Sequence, residues 1–391
     1  MLTTKVLLLA LMSATSGSAA ATQDRRAPQV EAGAPIESST SASEQETAGG
    51  DVATCGGSST YSQKKGDFNI TAFQLYPEQA DHDPRTCRTY FSVLYNASVA
   101  VWDSKTQSLL EPITVENMTG NKALHASGVQ VNPQDDTLAF MLNAGAAFDT
   151  QGQNVTGDNN LVVWDLKANK MKFTINLSDH ADKDHRGFQD MEHDKDGNIF
   201  VMSTFGGSLF RVNANGTAVE KWWLSDKNSS TAGLTGLARL GEDSLIAADQ
   251  SEGQLFRYSM NEDGKDKRTP VELKPTANLT SSMDGVYFPP KHNQTCLLVS
   301  DNEKGTLVLH SDDKWKIAQL RGIIPNKFSS QQGFTVATVQ IVHRIFAVIE
   351  WFLDGGEDDQ NNALPGNRTE FPMVDITDDV DKLCQGKKPE A

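Results

Sequence analysis

The chain has 391 residues, 38% of them hydrophobic, and a formal net charge of -16. Such an acidic surface repels nucleic acid and anionic lipid, so neither is expected as a partner. No stretch of about 18 uninterrupted apolar residues occurs, and "IFAVIEWFL" from Ile345 is broken by Glu350, so no membrane insertion is expected.

The N-terminus sets the compartment. Lys5 precedes an apolar run from Val6 to Met12, followed by small residues through Ala19 to Ala21. This is the pattern of a secretory signal over residues 1–21. "DRR" at Asp24 to Arg26 reads either as a processing site ending a propeptide or as solvated charge. Residues 22–54 hold few large apolar side chains, too few to offset the entropy of ordering, and are expected to form a disordered lead-in. The folded unit is expected over 55–384, with 385–391 as a tail.

N-x-S/T sequons start at Asn69, Asn96, Asn117, Asn154, Asn176, Asn215, Asn228, Asn278, Asn293 and Asn367. Chance would supply roughly four, so a secreted, extracellular glycoprotein is expected, with these positions at its surface. Cys55, Cys87, Cys296 and Cys384 form an even set, suited to disulfides in an oxidising compartment. Joining the two ends of the folded unit favours Cys55 with Cys384, which leaves Cys87 and Cys296 unassigned.

A short phrase recurs. "VAVWD" begins at Val99, "LVVWD" at Leu161, "LFRVN" at Leu209, "LFRYS" at Leu255, "LVLHS" at Leu307 and "FPMVD" at Phe371, at spacings of 62, 48, 46, 52 and 64 residues. Another β-rich segment precedes each copy. Before that stands a further apolar segment, often opened by glycine, as at Gly128, Gly187, Gly236 and Gly285. Turn sequences such as "PQDD" and "DKDG" separate them. A fourth segment often follows, as at Ala218 to Leu224. Four-stranded units at this period predict an all-β fold, a six-bladed β-propeller of four-stranded antiparallel blades. The phrase is then the third strand of a blade, and Trp102 and Trp164 pack between blades. Inserts at Asn143 to Asn159 and Leu353 to Glu370 lengthen two connections.

In such a ring the ends of second strands and the starts of inner strands share one face. That places Tyr95, Asn143, Thr204, Asp249, Asp301, Asn302 and Glu350 with His125, Arg186, Thr235 and Asp284. Rich in oxygen, this ring offers two readings: a site for a calcium-like divalent cation, or the polar lining of a wet channel. His180, His185 and His193 fall on a loop, an inner strand and a turn, and are not expected to converge on a metal. The acidic runs Gly355 to Gln360 and Asp378 to Asp381 read as solvated loop and tail, or as calcium ligands. No G-x-S-x-G, H-E-x-x-H or Gly-rich phosphate loop is present, so no catalytic residue is assigned.

"HASGVQVNP" (His125 to Pro133), the insert with its following strand (Asn143 to Leu166) and "SSMDGVYFPP" (Ser281 to Pro290) resemble the fungal trichothecene-cluster protein fourteen family. That resemblance implies a secreted propeller linked to virulence. The fold is also similar to the senescence-marker/gluconolactonase propellers, which hold a divalent metal through Glu, Asn and Asp. Asp284-Gly285 matches their Asp-Gly and implies a ligand at Asp284. Thr235 stands where an Asn ligand is expected, and no first-blade Glu is apparent. Two functions follow from these features. One is a non-catalytic propeller that binds a host or cell-surface ligand, or a small molecule, and contributes to virulence. The other is a metal-dependent lactone or ester hydrolase, with Asp284 and Asp249 or Asp301 as ligands and His125 as base.

Overall fold

The computed structural model describes residues 65–261, 267–276 and 278–385. The expected signal, the expected lead-in and Cys55 lie outside them. Among the described residues no helix is long and apolar enough to cross a membrane.

Six antiparallel sheets follow one another round a ring. Blade 1 runs through Pro77–Asp83, Arg88–Val93, Ser98–Asp103 and Ser108–Leu109. Blade 2 comprises Leu124–Val131, Thr137–Ala144, Asn159–Asp165 and Lys170–Asn176, and blade 3 Arg186–His193, Ile199–Phe205, Ser208–Val212 and Val219–Leu224. Leu234–Leu240, Ser244–Asp249, Gln254–Ser259 and Arg268–Pro270 make blade 4. Met283–Tyr287, Cys296–Asp301, Gly305–His310 and Ile317–Pro325 make blade 5. Phe334–Ile341, Arg344–Glu350 and Glu370–Asp375 give blade 6 its first three strands. The recurring phrase is the third strand in all six blades. Blade 5 exceeds the expected four strands, because Glu272–Leu273 pairs in parallel with its outer strand.

Burial explains the strand composition. In Thr137–Ala144 every residue is buried, because a second strand is covered on both faces by adjacent blades. The outer strand Lys170–Asn176 has no buried residue and carries the polar side chains that solvent requires. Apolar seams fill the space between blades. Phe188 meets Phe210 edge-on at 5.1 Å between ring centroids, and Phe200 meets Trp222 at 4.9 Å, a geometry that aromatic quadrupoles favour. Trp102 is buried and stacks on Phe68 across the seam between blades 1 and 6, while half-buried Trp164 packs against the seam cluster of blades 1 and 2.

The N-terminal segment closes the ring. Phe68–Thr71 pairs with Glu370–Asp375 as the outer strand of blade 6, with Phe68 opposite Met373 and Thr71 opposite Glu370. Asp67 accepts the Asp375 N–H at 2.9 Å, and Asp375 accepts the Gly66 N–H at 2.8 Å. The chain then ends in a helix, Thr377–Cys384, which covers the acidic run expected as solvated tail. This helix decides the disulfide. Leu383 packs over Gly322, and Asp381 pairs with Lys291 at 2.7 Å and His292 at 2.9 Å, all on blade 5. Cys384 therefore meets Cys296, not Cys55, with 5.8 Å between their Cα atoms. The expected Cys55–Cys384 pairing is corrected: the helix folds back on blade 5 instead of following the closing strand. Cys87 is also disulfide-bonded.

Candidate functional site at the ring axis

Each inner strand carries a register shift at the same point, between Pro77 and Ala80, Ala126 and Val129, Phe188 and Met191, Leu234 and Gly236, Met283 and Val286, and Thr335 and Ala337. A bulge re-aims the residues that it leaves unpaired. Here those include Glu78, Ser127, Gln189, Thr235 and Asp284, one from each of blades 1 to 5. Glycine lets neighbouring inner strands come close at the bulges. A Cβ on Gly128 would stand 2.6 Å from the Gln189 carbonyl, and one on Gly236 would stand 2.5 Å from the Val286 nitrogen. That is why glycine opens these segments.

Blades 1, 3 and 5 meet on the axis through Gln189. Its Nε2 donates to Asp284 Oδ1 at 3.1 Å and stands 3.4 Å from Glu78 Oε1. Its Oε1 accepts from the Thr204 hydroxyl at 2.7 Å. Asn302 Nδ2 donates to Asp284 Oδ2 at 2.8 Å. Below this layer Gln79 reaches Asp190 at 3.4 Å. Odd-numbered blades also grip their even-numbered neighbours. Asp81 accepts the Val131 N–H, Asp190 that of Leu237, Glu192 that of Arg239 and the Tyr287 hydroxyl that of Gln340.

Several polar atoms of this ring lack partners. Glu78 Oε2, Asn302 Oδ1, Thr235 Oγ1 and both oxygens of Glu350 are buried without a hydrogen-bond partner in the protein. Burial, then the charges of Asp284 and Glu350, push the Glu78 carboxyl well above the usual range. Burial lifts Asp284 to about 7 against the Asn302 and Gln189 hydrogen bonds, and raises Glu350 strongly as well. The ring thus holds carboxyls that resist ionisation, and each protonated carboxyl offers an O–H as well as an acceptor.

The predicted site residues divide into two groups. Asp284, Asn302 and Thr204 join the axial network directly. Asn143 borders it, donating to the Phe188 carbonyl at 2.7 Å with its Oδ1 3.1 Å from the Ser127 hydroxyl. Glu350 faces Glu78 and Tyr95 electrostatically. The others serve elsewhere. Asp249 is held by Lys227 at 2.9 Å and Arg268 at 2.8 Å, and Arg186 donates to the carbonyls of Asp182 and Ser178. Asp301 Oδ1 caps a turn through the N–H groups of Glu303 and Lys304. His125 is buried, shifted down to about 4 by desolvation, and rests edge-on against Tyr95 at 5.6 Å. No hydrogen bond among the described residues joins it to Glu78 or Asp284. His185 binds Asp182 at 2.8 Å at one end of the third inner strand, and His193 binds Gln130 at 3.0 Å at the other.

Sequence reasoning missed Glu78 and Gln189. Both sit in bulges, where alternation fails.

The oxygen donors suit a hard cation in kind. In arrangement they do not: the Gln189 amide stands between Glu78 and Asp284, and no three His, Cys, Asp or Glu side chains converge among the described residues.

A family model described as Mal s 1 allergenic protein-like matches residues 58–332. The chain belongs to this family. It is 29% identical over 339 residues to core trichothecene cluster protein 14 of Fusarium sporotrichioides, covering 82% of this chain and 87% of that one. Trichothecene biosynthesis protein 14 of Trichoderma arundinaceum is also 29% identical, over 81% of this chain and 90% of its own length. The crystal structure of the major Malassezia sympodialis allergen Mala s 1 shares the fold, with a TM-score of 0.67 and 19% identity over 84% of this chain and 99% of that one.

Proposed function

We propose that this protein is a secreted, glycosylated propeller that contributes to fungal virulence by binding a host or cell-surface ligand at the axial ring, without catalysis. The observation that carries this reading is the set of buried polar atoms left unpaired at the ring, on Glu78, Thr235, Asn302 and Glu350. Leaving such groups unmet is costly, so they favour a polar ligand that supplies hydrogen-bond partners. A metal-dependent lactone or ester hydrolase is the second reading. Glu78 beside Asp284 favours it; the Gln189 amide between them, and the lack of a hydrogen bond from His125 to either among the described residues, weigh against it.

The experiment compares wild type with Asp284→Asn. Thermal shift is recorded with added calcium and manganese, and hydrolysis of simple lactones is followed in the same samples. Under the binding reading, lactone hydrolysis stays at the buffer rate in both proteins. Metal-dependent turnover by the wild type, lost in Asp284→Asn, would overturn it in favour of the hydrolase.

A further inference from the structure

The sequons are not scattered evenly over the propeller. Register defines its two ends: inner strands start, second strands finish, third strands start and fourth strands finish at the same end, as Met283, Asp301, Gly305 and Pro325 do in blade 5. Call this the mouth. Asn96 lies between the second and third strands of blade 1, and Asn117 in the loop leading into blade 2. The insert of blade 2 carries Asn154, and its fourth strand finishes at Asn176. Asn228 precedes the inner strand of blade 4, Asn278 that of blade 5, and Asn367 sits in the insert of blade 6. All these positions are at the mouth. Asn69 is in the closing strand, and only Asn215 and Asn293 occupy hairpins at the opposite end.

Their side chains are positioned for modification. Every sequon asparagine is exposed except Asn176. At Asn154 and Asn228 the carboxamide oxygen accepts from the hydroxyl two residues on, which leaves the amide nitrogen outward. Asn176 differs: half-buried, it donates to Asp158 and accepts the N–H groups of Asn159 and Ser178. It is expected to stay bare.

We infer that N-linked sugars at Asn96, Asn117, Asn154, Asn228, Asn278 and Asn367 ring the mouth and restrict access from that end to small ligands, while the opposite end, with sequons at Asn215 and Asn293 alone, is screened less. Glycans are bulky and well hydrated, and these six are distributed over the loops of five blades. A folded macromolecule approaching the mouth meets sugar before protein; a small polar molecule passes between. This rests on the secreted, ligand-binding reading and narrows its ligand to a small polar molecule.

Exposed Phe73 offers a probe. It lies at the mouth between the Asn367 and Asn96 loops, where the Ala72 and Gln74 N–H groups bond the carbonyls of Thr369 and Arg368 and the Leu94 N–H bonds Tyr76. Exposed Asp136, in the first hairpin of blade 2, serves as the control at the other end. Phe73→Cys and Asp136→Cys are made in a glycosylating host and the occupied sequons are mapped by peptide mass. Each is then labelled with N-ethylmaleimide and with a polyethylene glycol maleimide, before and after enzymatic deglycosylation. The small reagent should label both alike. The polymer should label Phe73→Cys severalfold more slowly, and deglycosylation should abolish the difference. Equal polymer labelling on a protein glycosylated at the mouth would overturn the inference and leave secretion standing. An exported protein bare at the mouth would overturn it too, and one retained in the cell unglycosylated would sink the secreted reading as well.

Discussion

The seams between blades and the ring on the axis are both buried, yet they are built by opposite rules. A seam such as that between blades 2 and 3 joins Met141, Leu161, Phe188, Phe210 and Val212 in a dry apolar cluster. The axial ring buries Glu78, Asp190 and Asp284 at nearly the same depth, which raises their carboxyls instead of pairing them with cations. Seams carry the stability. The ring departs from that apolar packing, which makes it the candidate site.

The strongest challenge to this contrast is in a seam. Phe210→Ala removes the partner of Phe188 and leaves a cavity, so it should lower unfolding stability by about 3–5 kcal/mol. Urea denaturation measures it, and a near-neutral result would mean that the blades cohere by other means. Next is the staple of the C-terminal helix. Cys296→Ser opens a link that spans 88 residues and should cost about 2–4 kcal/mol, and reductant added to the variant should then remove only what the Cys87 bridge contributes.

The smallest effect tests the ring. Burial raises Asp284, Asp81 and Glu192 to about 7 each, above the usual range near 4 of an unfolded chain. The folded state then holds more protons between those values. This contribution to stability is full below about pH 4 and is lost as pH rises through about 7. The melting temperature should therefore fall from pH 5 to pH 8. Asp284→Asn cannot ionise and should recover part of that loss at pH 8 while changing little at pH 5. A melting temperature unchanged over that range in both proteins would show that the ring is hydrated well enough to ionise freely.

Much of the fold could be read directly, because a strand repeats its pattern locally. "LVVWD" and its copies alternate, end on turn formers, and recur at a period that only a ring of blades satisfies. Even the glycines of the inner strands were visible, although their purpose, as at Gly128 and Gly236, needs the neighbouring strand to explain it. The candidate site was half legible. Asp284 and Asn302 stand at strand starts and ends, which a pattern can locate. Asp249 and Asp301 share that placement and satisfy a salt-bridge pair and a turn, because which way a carboxylate faces depends on cations and N–H groups distant in sequence.

The amino-acid sequence by itself determined the all-β class, the six blades, the third-strand identity of the repeated phrase and the exposed positions of nearly all its sequons. These follow from short-range periodicity and from solvation of individual side chains. Tertiary structure alone decided three things. It folded the last helix onto blade 5 and so chose Cys296 for Cys384. It bulged six inner strands in step, turning Glu78 and Gln189 to the axis. And it brought blades 1, 3 and 5 together through one amide, a contact between residues more than ninety positions apart that exists only once the ring has closed.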